Sequence, residues 1–477
     1  MKTHHLALLS AVAALTCAAS AQVTLTPLST FGTNGWIAPG ASPYVTIGNT
    51  ERGLSVNPTT GNLLLVSRQN VAGVSNNVRV LNGVTGADQG GFDATGIAGG
   101  TFPVNMVDVD ANGAIYVCNL SITLTTNFKV YMWPSEAAGP TTPPITIFDG
   151  LSGVTRTGDA FAVHGGVTSA AVFAAAGSNA VSASNFATGL LDGSNAATAY
   201  LSVGGTLAGS NDYRLGLTFV DADTVIGNQG ANGRLTDFDS TTATATLAAT
   251  INVGGVARRA LDYTVIGGRA LLALVDTNSS NVTVLDITDP LNPVQMAQAN
   301  ATVAPLTANG NGTGAVAWGP VTGNSALLYA MSSNQGIQAF TFTMGPSAAV
   351  ANNGAGCDGL VFGANGVPSL GNATFEFAVA NLSLVSPVGL VAFGSASIPG
   401  GIDLTGLGMP GCFSYTSFDL NLYTGGPTIA GVSLFPLPIP NNPALAGGSL
   451  SAQGVGFTLS NAFGLATSNG LDLTFGF

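Results

Sequence analysis

What this chain can fold into is restricted most by a repeat. Residues 53–68 read GLSVNPTTGNLLLVSR and residues 107–119 read VDVDANGAIYVCN, each an apolar strand, a polar turn and a second apolar strand. The unit returns as AVHGGVTSAAVFAAAG from Ala162, GLTFVDADTVIGNQG from Gly216, ALDYTVIGGRALLALVD from Ala260 and AVAWGPVTGNSALLYAMS from Ala315. Successive starts lie 54, 55, 54, 44 and 55 residues apart. Most hairpins run on into a third strand such as NVRVLNGVTG, FKVYMWPSE, RLTDFDS or NVTVLDITDP, and GIQAFTFTM ends the last unit. One small sheet cannot bury both of its faces, whereas several packed around an axis can. The period therefore predicts an all-β chain with a β-propeller over residues 22–351. Six blades are expected, or seven if VTLTPLSTFG and ASPYVTIG pair with a late strand to close the ring. A stacked solenoid of the same hairpins is the alternative architecture.

Composition agrees with many short strands and few helices. Charged residues are 7% of the chain, Gly numbers 65, and Ala, Thr, Ser and Asn abound; such sequences favour strands and tight turns over amphipathic helices. The first residues, MKTHHLALLSAVAALTCAASAQ, read as a secretory signal peptide over residues 1–21. Lys2 is the basic start, Leu6 to Thr16 the apolar stretch, and Ala19-Ser20-Ala21 the small-residue cleavage signal. That stretch is too short to span a bilayer, which takes about twenty apolar residues, and no later segment serves. A secreted protein, extracellular or at the cell surface, is the expectation. Without Lys2, ten basic residues face 23 acidic ones, so nucleic acid and anionic membrane surfaces are excluded as partners.

The rhythm changes after residue 351. Residues 352–477 carry five acidic side chains (Asp358, Glu376, Asp403, Asp419, Asp472) and no Lys or Arg. Runs such as ATFEFAVANL, VGLVAFG, AGVSLFPLPIP, GGSLSAQGVGFTL and GLDLTFGF, set off by Gly and Pro, describe a small C-terminal β-sandwich. Cys357 and Cys412 both fall in this region and are expected to form a disulfide in an oxidising compartment. Cys118 is left over in the apolar run AIYVC, as a buried thiol.

The order PSLGN, LGMPGC, LPIPNNPALAGGSLSAQ and a terminal SNGLDLTFGF resembles a module that closes many otherwise unrelated secreted bacterial proteins. The segments ERGLSVNPTTGNLLLVSR, GGTFPVNMVDVDANGAIYVCNL and FKVYMWPSE resemble a secreted bacterial family known only as a domain of unknown function. The second resemblance implies no activity. The first implies a sorting or surface-attachment task, with the secretion or attachment machinery as partner; a stabilising cap is the other reading.

Two groups of residues invite chemistry. Asp108, Asp110 and Asn112, with Gly113, are spaced like the front half of a calcium loop, although Asn119 stands where such a loop has its bidentate glutamate. The same position in the other repeats is a plain turn, so a hairpin turn competes with a calcium site. The second group is a concentration of scarce charges where the innermost strands begin: Glu51 with Arg52, Asp159, Asp212 with Arg214, and Arg258 with Arg259. Such positions ring one mouth of a propeller channel. They suit either capture of an anionic or hydroxyl-rich ligand such as an acidic glycan, or salt bridges between blades. No catalytic residue is assigned: His164 is the single histidine after the leader, and Ser-His-Asp or Cys-His machinery would depend on it alone. A binding or adhesion protein for a polysaccharide or cell-surface component, without cofactor unless calcium, is the leading function. A propeller hydrolase or lyase acting on sugars or lactones is the alternative.

Overall fold

The computed structural model describes residues 23–167, 170–177, 184–203, 211–420 and 423–477. The signal-peptide reading falls on residues outside these. The chain divides into two compact units, Thr24–Thr343 and Met344–Phe477. A boundary at 351/352 would cut the strand Ala349–Asn353, which pairs along its length with Leu465–Thr474 and so belongs to the second unit.

Six sheets make up the first unit among the described residues, each of at least four strands and antiparallel except where Ser202–Val203 runs parallel to Thr244–Asn252. Their innermost strands are Glu51–Val56, Phe102–Val109, Ala160–His164, Gly216–Phe219, Arg258–Ile266 and Gly314–Trp318. Each innermost strand lies beside the next, and the sixth lies back against the first, so they form a closed ring. The second strand of each sheet is the apolar run of the repeat. Leu63–Ser67, for example, is wholly buried, because it is covered on both faces by neighbouring sheets. The strand Thr24–Pro27 pairs with Gly336–Thr343 and supplies the fourth strand of the sixth sheet, while ASPYVTIG forms only an isolated bridge between Ser42 and Val45. Aromatic side chains fill the wedges between sheets: Phe128, Phe148, Phe161 and Phe173 pack together between the second and third, with centroids 4.9–6.4 Å apart. Cys118 lies in that same cluster, buried and unpaired, and burial pushes its thiol far above the ordinary range.

In the second unit a five-stranded sheet and a three-stranded sheet share one apolar core. Phe362, Phe377 and Val379 of the smaller sheet meet Val391, Phe393, Leu450 and Leu473 of the larger. A further hairpin joins Ser397–Asp403 to Phe413–Thr416. Cys357 and Cys412 form a disulfide that ties this hairpin's approach to the start of the unit. No described helix is long and apolar enough to cross a membrane.

Candidate functional site

The ring of innermost strands encloses a narrow channel, and its starting ends form one mouth. Three of those strands carry a register irregularity there: between Glu51 and Leu54, between Phe102 and Met106, and between Arg258 and Ala260. A bulge re-aims the side chain that it carries, and the residues at the first and third bulges are Arg52 and Arg259. Gly53 makes the first one possible, since a Cβ there would sit 2.5 Å from the backbone nitrogen of Val107 on the next strand.

Around this mouth the sequence-selected residues sort into three kinds. Asp159 accepts from two arginines: Arg156 by a two-pronged contact, its Nη2 at 2.8 Å from Oδ1, and Arg214 through Nε at 3.2 Å. The second of these joins the third sheet to the fourth. Asp212 instead accepts from Arg234 Nε at 2.9 Å inside the fourth sheet. Arg258 and Arg259 make no ion pair with any described carboxylate; they donate to the carbonyls of Val253 and Val256.

Glu51 and Arg52 belong to a tighter cluster that the sequence reading only half found. Glu51 is buried, with Oε1 accepting from Thr46 N and Thr50 Oγ1 and Oε2 without a partner. Arg52 donates through Nη1 to Thr313 Oγ1 at 2.8 Å, and its buried Nε has no acceptor. Arg68, at the end of the strand beside Glu51, lies 3.7 Å above the centroid of the Phe102 ring and donates to Asn105 Oδ1 and the Asn49 carbonyl at 3.3 Å each; its Nε is also unpaired. Burial pulls the Arg52 guanidinium below its ordinary value, against the opposing pull of Asp159 and Glu51. Burial, then repulsion from Arg52, lowers Arg68 to about 9. Arg156 goes the other way, raised by its bond to Asp159. Four guanidiniums, Arg52, Arg68, Arg156 and Arg214, thus gather around two carboxylates.

Arg68 and Arg156 do not stand at the starts of first strands: Arg68 ends a second strand, which antiparallel pairing returns to the same mouth. Arg156 lies in the connection leading to Asp159, and its spacing of three residues from that aspartate was the available signal.

The calcium-loop residues lie in different surroundings. Asp110 accepts from the backbone nitrogens of Asn112 and Ala114 at 2.9 Å and from the Tyr116 hydroxyl at 3.1 Å, which closes the hairpin turn. Asn112 contributes its backbone to that turn. Asp108 turns into the channel, where Oδ1 accepts from Ser55 Oγ (2.7 Å) and Val109 N (2.9 Å) and Oδ2 from Val163 N (2.7 Å). Among the described residues no three His, Cys, Asp or Glu side chains are grouped to hold a metal ion.

Asp262, not singled out in the sequence, repeats the Asp108 arrangement on the fifth strand of the ring. Its Oδ1 accepts from Thr218 Oγ1 (2.9 Å) and Tyr263 N (2.8 Å), and Oδ2 from Trp318 N (2.9 Å). Each aspartate therefore takes a hydroxyl from the preceding strand and a backbone N–H from the following one. Together they clip all six strands of the ring. Both line a central cavity of about 60 Å³ with Ser55, Phe161, Thr218 and Val316, deep in the unit yet with some surface on the cavity. Desolvation raises Asp108 to about 7, with Asp262 adding repulsion, and raises Asp262 to about 6.

The chain matches no family model and no curated protein. Several solved structures resemble it at low identity. A DUF4623 family protein from Bacteroides eggerthii is 17% identical with a TM-score of 0.48, over 65% of this chain and 76% of that one. The major allergen Mala s 1 of Malassezia sympodialis is 12% identical with a TM-score of 0.37, over 63% and 93% respectively. The GH43_1 enzyme from Xanthomonas citri, solved with xylose, is 11% identical with a TM-score of 0.32, over 70% and 93%.

Proposed function

We propose that the chain is a secreted, non-catalytic recognition protein. In this reading Thr24–Thr343 is a six-bladed propeller whose mouth binds an anionic or hydroxyl-rich glycan, and Met344–Phe477 is a sandwich that sorts or attaches it. The observation that carries the reading is the convergence of Arg52, Arg68, Arg156 and Arg214 on only Glu51 and Asp159. Salt bridging between sheets accounts for the Arg214–Asp159 contact but leaves Arg52 and Arg68 without a carboxylate partner. In a strongly acidic chain, a local excess of arginine is maintained against composition, and guanidinium groups are suited to planar anions.

One observation favours the enzyme reading: Asp108 and Asp262 face a shared cavity, and paired carboxylates with raised pKa are what glycoside hydrolysis employs. The size of that cavity favours recognition instead. The cavity holds about 60 Å³, whereas small-molecule sites typically enclose about 300–1,000 Å³. Each aspartate is moreover engaged by three donors that belong to the ring itself.

The test is binding of the full mature chain to a panel of neutral and acidic polysaccharides, with calcium and then with a chelator. Binding that disappears in Arg214→Ala supports the mouth as receptor. Loss under chelation alone would restore a cation role for Asp108 and Asp110. Silence across the whole panel removes the glycan reading.

A further inference from the structure

The mouth has an apolar feature beside its charge. Phe102, at the start of the second innermost strand, leaves 38% of its surface exposed while the Arg68 guanidinium covers one face of its ring. Exposed aromatic rings stack against the apolar C–H faces of sugar rings, and a cation held over one face fixes the ring's orientation. Arg68 is in turn fixed by Asn105 and the Asn49 carbonyl. The platform is thus held by the strand Phe102–Val109, the end of Leu63–Ser67 and the loop before Glu51.

Asn105 also donates to the Gly158 carbonyl, which brings Asp159 and the arginines bonded to it towards the platform, and those arginines keep donors free. Arg214 bonds Asp159 through Nε alone, which leaves both terminal nitrogens unengaged on a side chain 33% exposed. Arg52 uses only Nη1 and leaves Nη2 unengaged, while its Nε is buried without an acceptor. Arg156 reaches Asp159 through Nε and Nη2, leaving Nη1. Arg52 and Arg68 repel one another where the platform begins, and Asp159 and Glu51 pull against that repulsion. An anion placed there relieves that repulsion; a neutral group does not.

We infer that this corner of the mouth is a subsite for an acidic sugar, with the sugar ring on Phe102 and its acid group on the free guanidinium nitrogens of Arg52, Arg156 and Arg214. The inference rests on the glycan reading of the mouth and narrows it to an anionic sugar and a named corner. Carboxylate and sulfate ester share the required chemistry, and both accept paired guanidinium donors.

Calorimetric titration of the full chain tests it, with three probes of matched length: an oligogalacturonate, its carboxyl-reduced neutral counterpart, and a sulfated galactan oligomer. The expected result is binding of one or both acidic probes, at least tenfold tighter than the neutral one, with a tenfold or greater loss in Phe102→Ala and in Arg52→Met. Preference between the two acidic probes identifies the acid group. Equal binding of the neutral oligomer, or acidic binding unchanged in both variants, overturns the subsite while the wider mouth reading stands if Arg214→Ala still abolishes panel binding. Failure of every probe and every polysaccharide overturns both. Should Arg52→Met not fold, as checked by its circular dichroism melt, the preference of the unmodified chain and the exposed Phe102→Ala variant decide the question.

Discussion

The mouth and the interior of the same channel handle charge in opposite ways. Inside, Asp108 and Asp262 each meet three donors supplied by three successive strands, so the carboxylates have become part of the ring's hydrogen bonding. At the mouth, Arg52 and Arg68 retain unpaired nitrogens, and Glu51 an unpaired oxygen. A buried polar group left without a partner costs about 1–3 kcal/mol, so folding alone gives no reason to keep three such atoms together. The contrast is that satisfied charge holds the ring together, whereas the charge at the mouth is left partly without partners in the chain.

The sharpest way to break this contrast is to remove an interior acceptor. Asp262→Ala leaves Thr218 Oγ1, Tyr263 N and Trp318 N without their acceptor, and is expected to cost about 1–3 kcal/mol in a urea titration. Asp262→Asn keeps an acceptor oxygen and should lose less; equal losses would show that charge, and not acceptance, is what matters there.

Acidity gives a second, somewhat smaller effect. Asp108 and Asp262 have folded-state values of about 7 and about 6, raised above those of an unfolded chain. Between the two values the folded state binds more protons than the unfolded one, so these groups stabilise the fold as pH falls from 8 towards 5. The gain should be of the order of 1–2 kcal/mol, because contact with the cavity tempers their desolvation. Melting temperature should rise over that interval and flatten in the double variant Asp108→Asn, Asp262→Asn. A rise of stability with pH in the unmodified chain would contradict the account. When protonated, each acid can reverse its bond to Ser55 or Thr218 and donate instead, which keeps the clip closed.

The smallest effect on stability belongs to the mouth. Arg214 is a third exposed and Asp159 retains Arg156, so Arg214→Ala should cost under about 1 kcal/mol. Its effect on glycan binding should be much larger than that. A loss of stability comparable to that of Asp262→Ala, with binding intact, would return Arg214 to a purely structural role between sheets.

Much of the fold was legible because a strand that is covered on both faces must be an unbroken apolar run. Each of those runs, from LLLVS at residue 63 to SALLYAMS at residue 325, stands in the sequence where the structure has a second strand. The joining of Cys357 to Cys412 was legible for a similar reason, as a pair shared by one small region. The mouth was legible in part. Charges at the starts of first strands pointed to Glu51, Arg52, Asp159, Asp212, Arg214, Arg258 and Arg259, but the structure sends Asp212 to Arg234 and brings in Arg68 and Arg156.

Asp108 and Asp262 show the limit most clearly. Both stand in apolar first-strand runs, VDV and LDY, in the second and fifth repeats, and a carboxylate in such a run was the signal available. Local spacing instead linked Asp108 to Asp110, two residues away, as calcium ligands. By itself the sequence determined the period, the strands and which faces are apolar, since these follow from alternation and composition over a few residues. Only the tertiary structure decided which polar atoms meet, because Asp108 is bonded by Ser55 and Val163 and Asp262 by Thr218 and Trp318, partners some fifty residues away that ring closure alone brings within hydrogen-bonding distance.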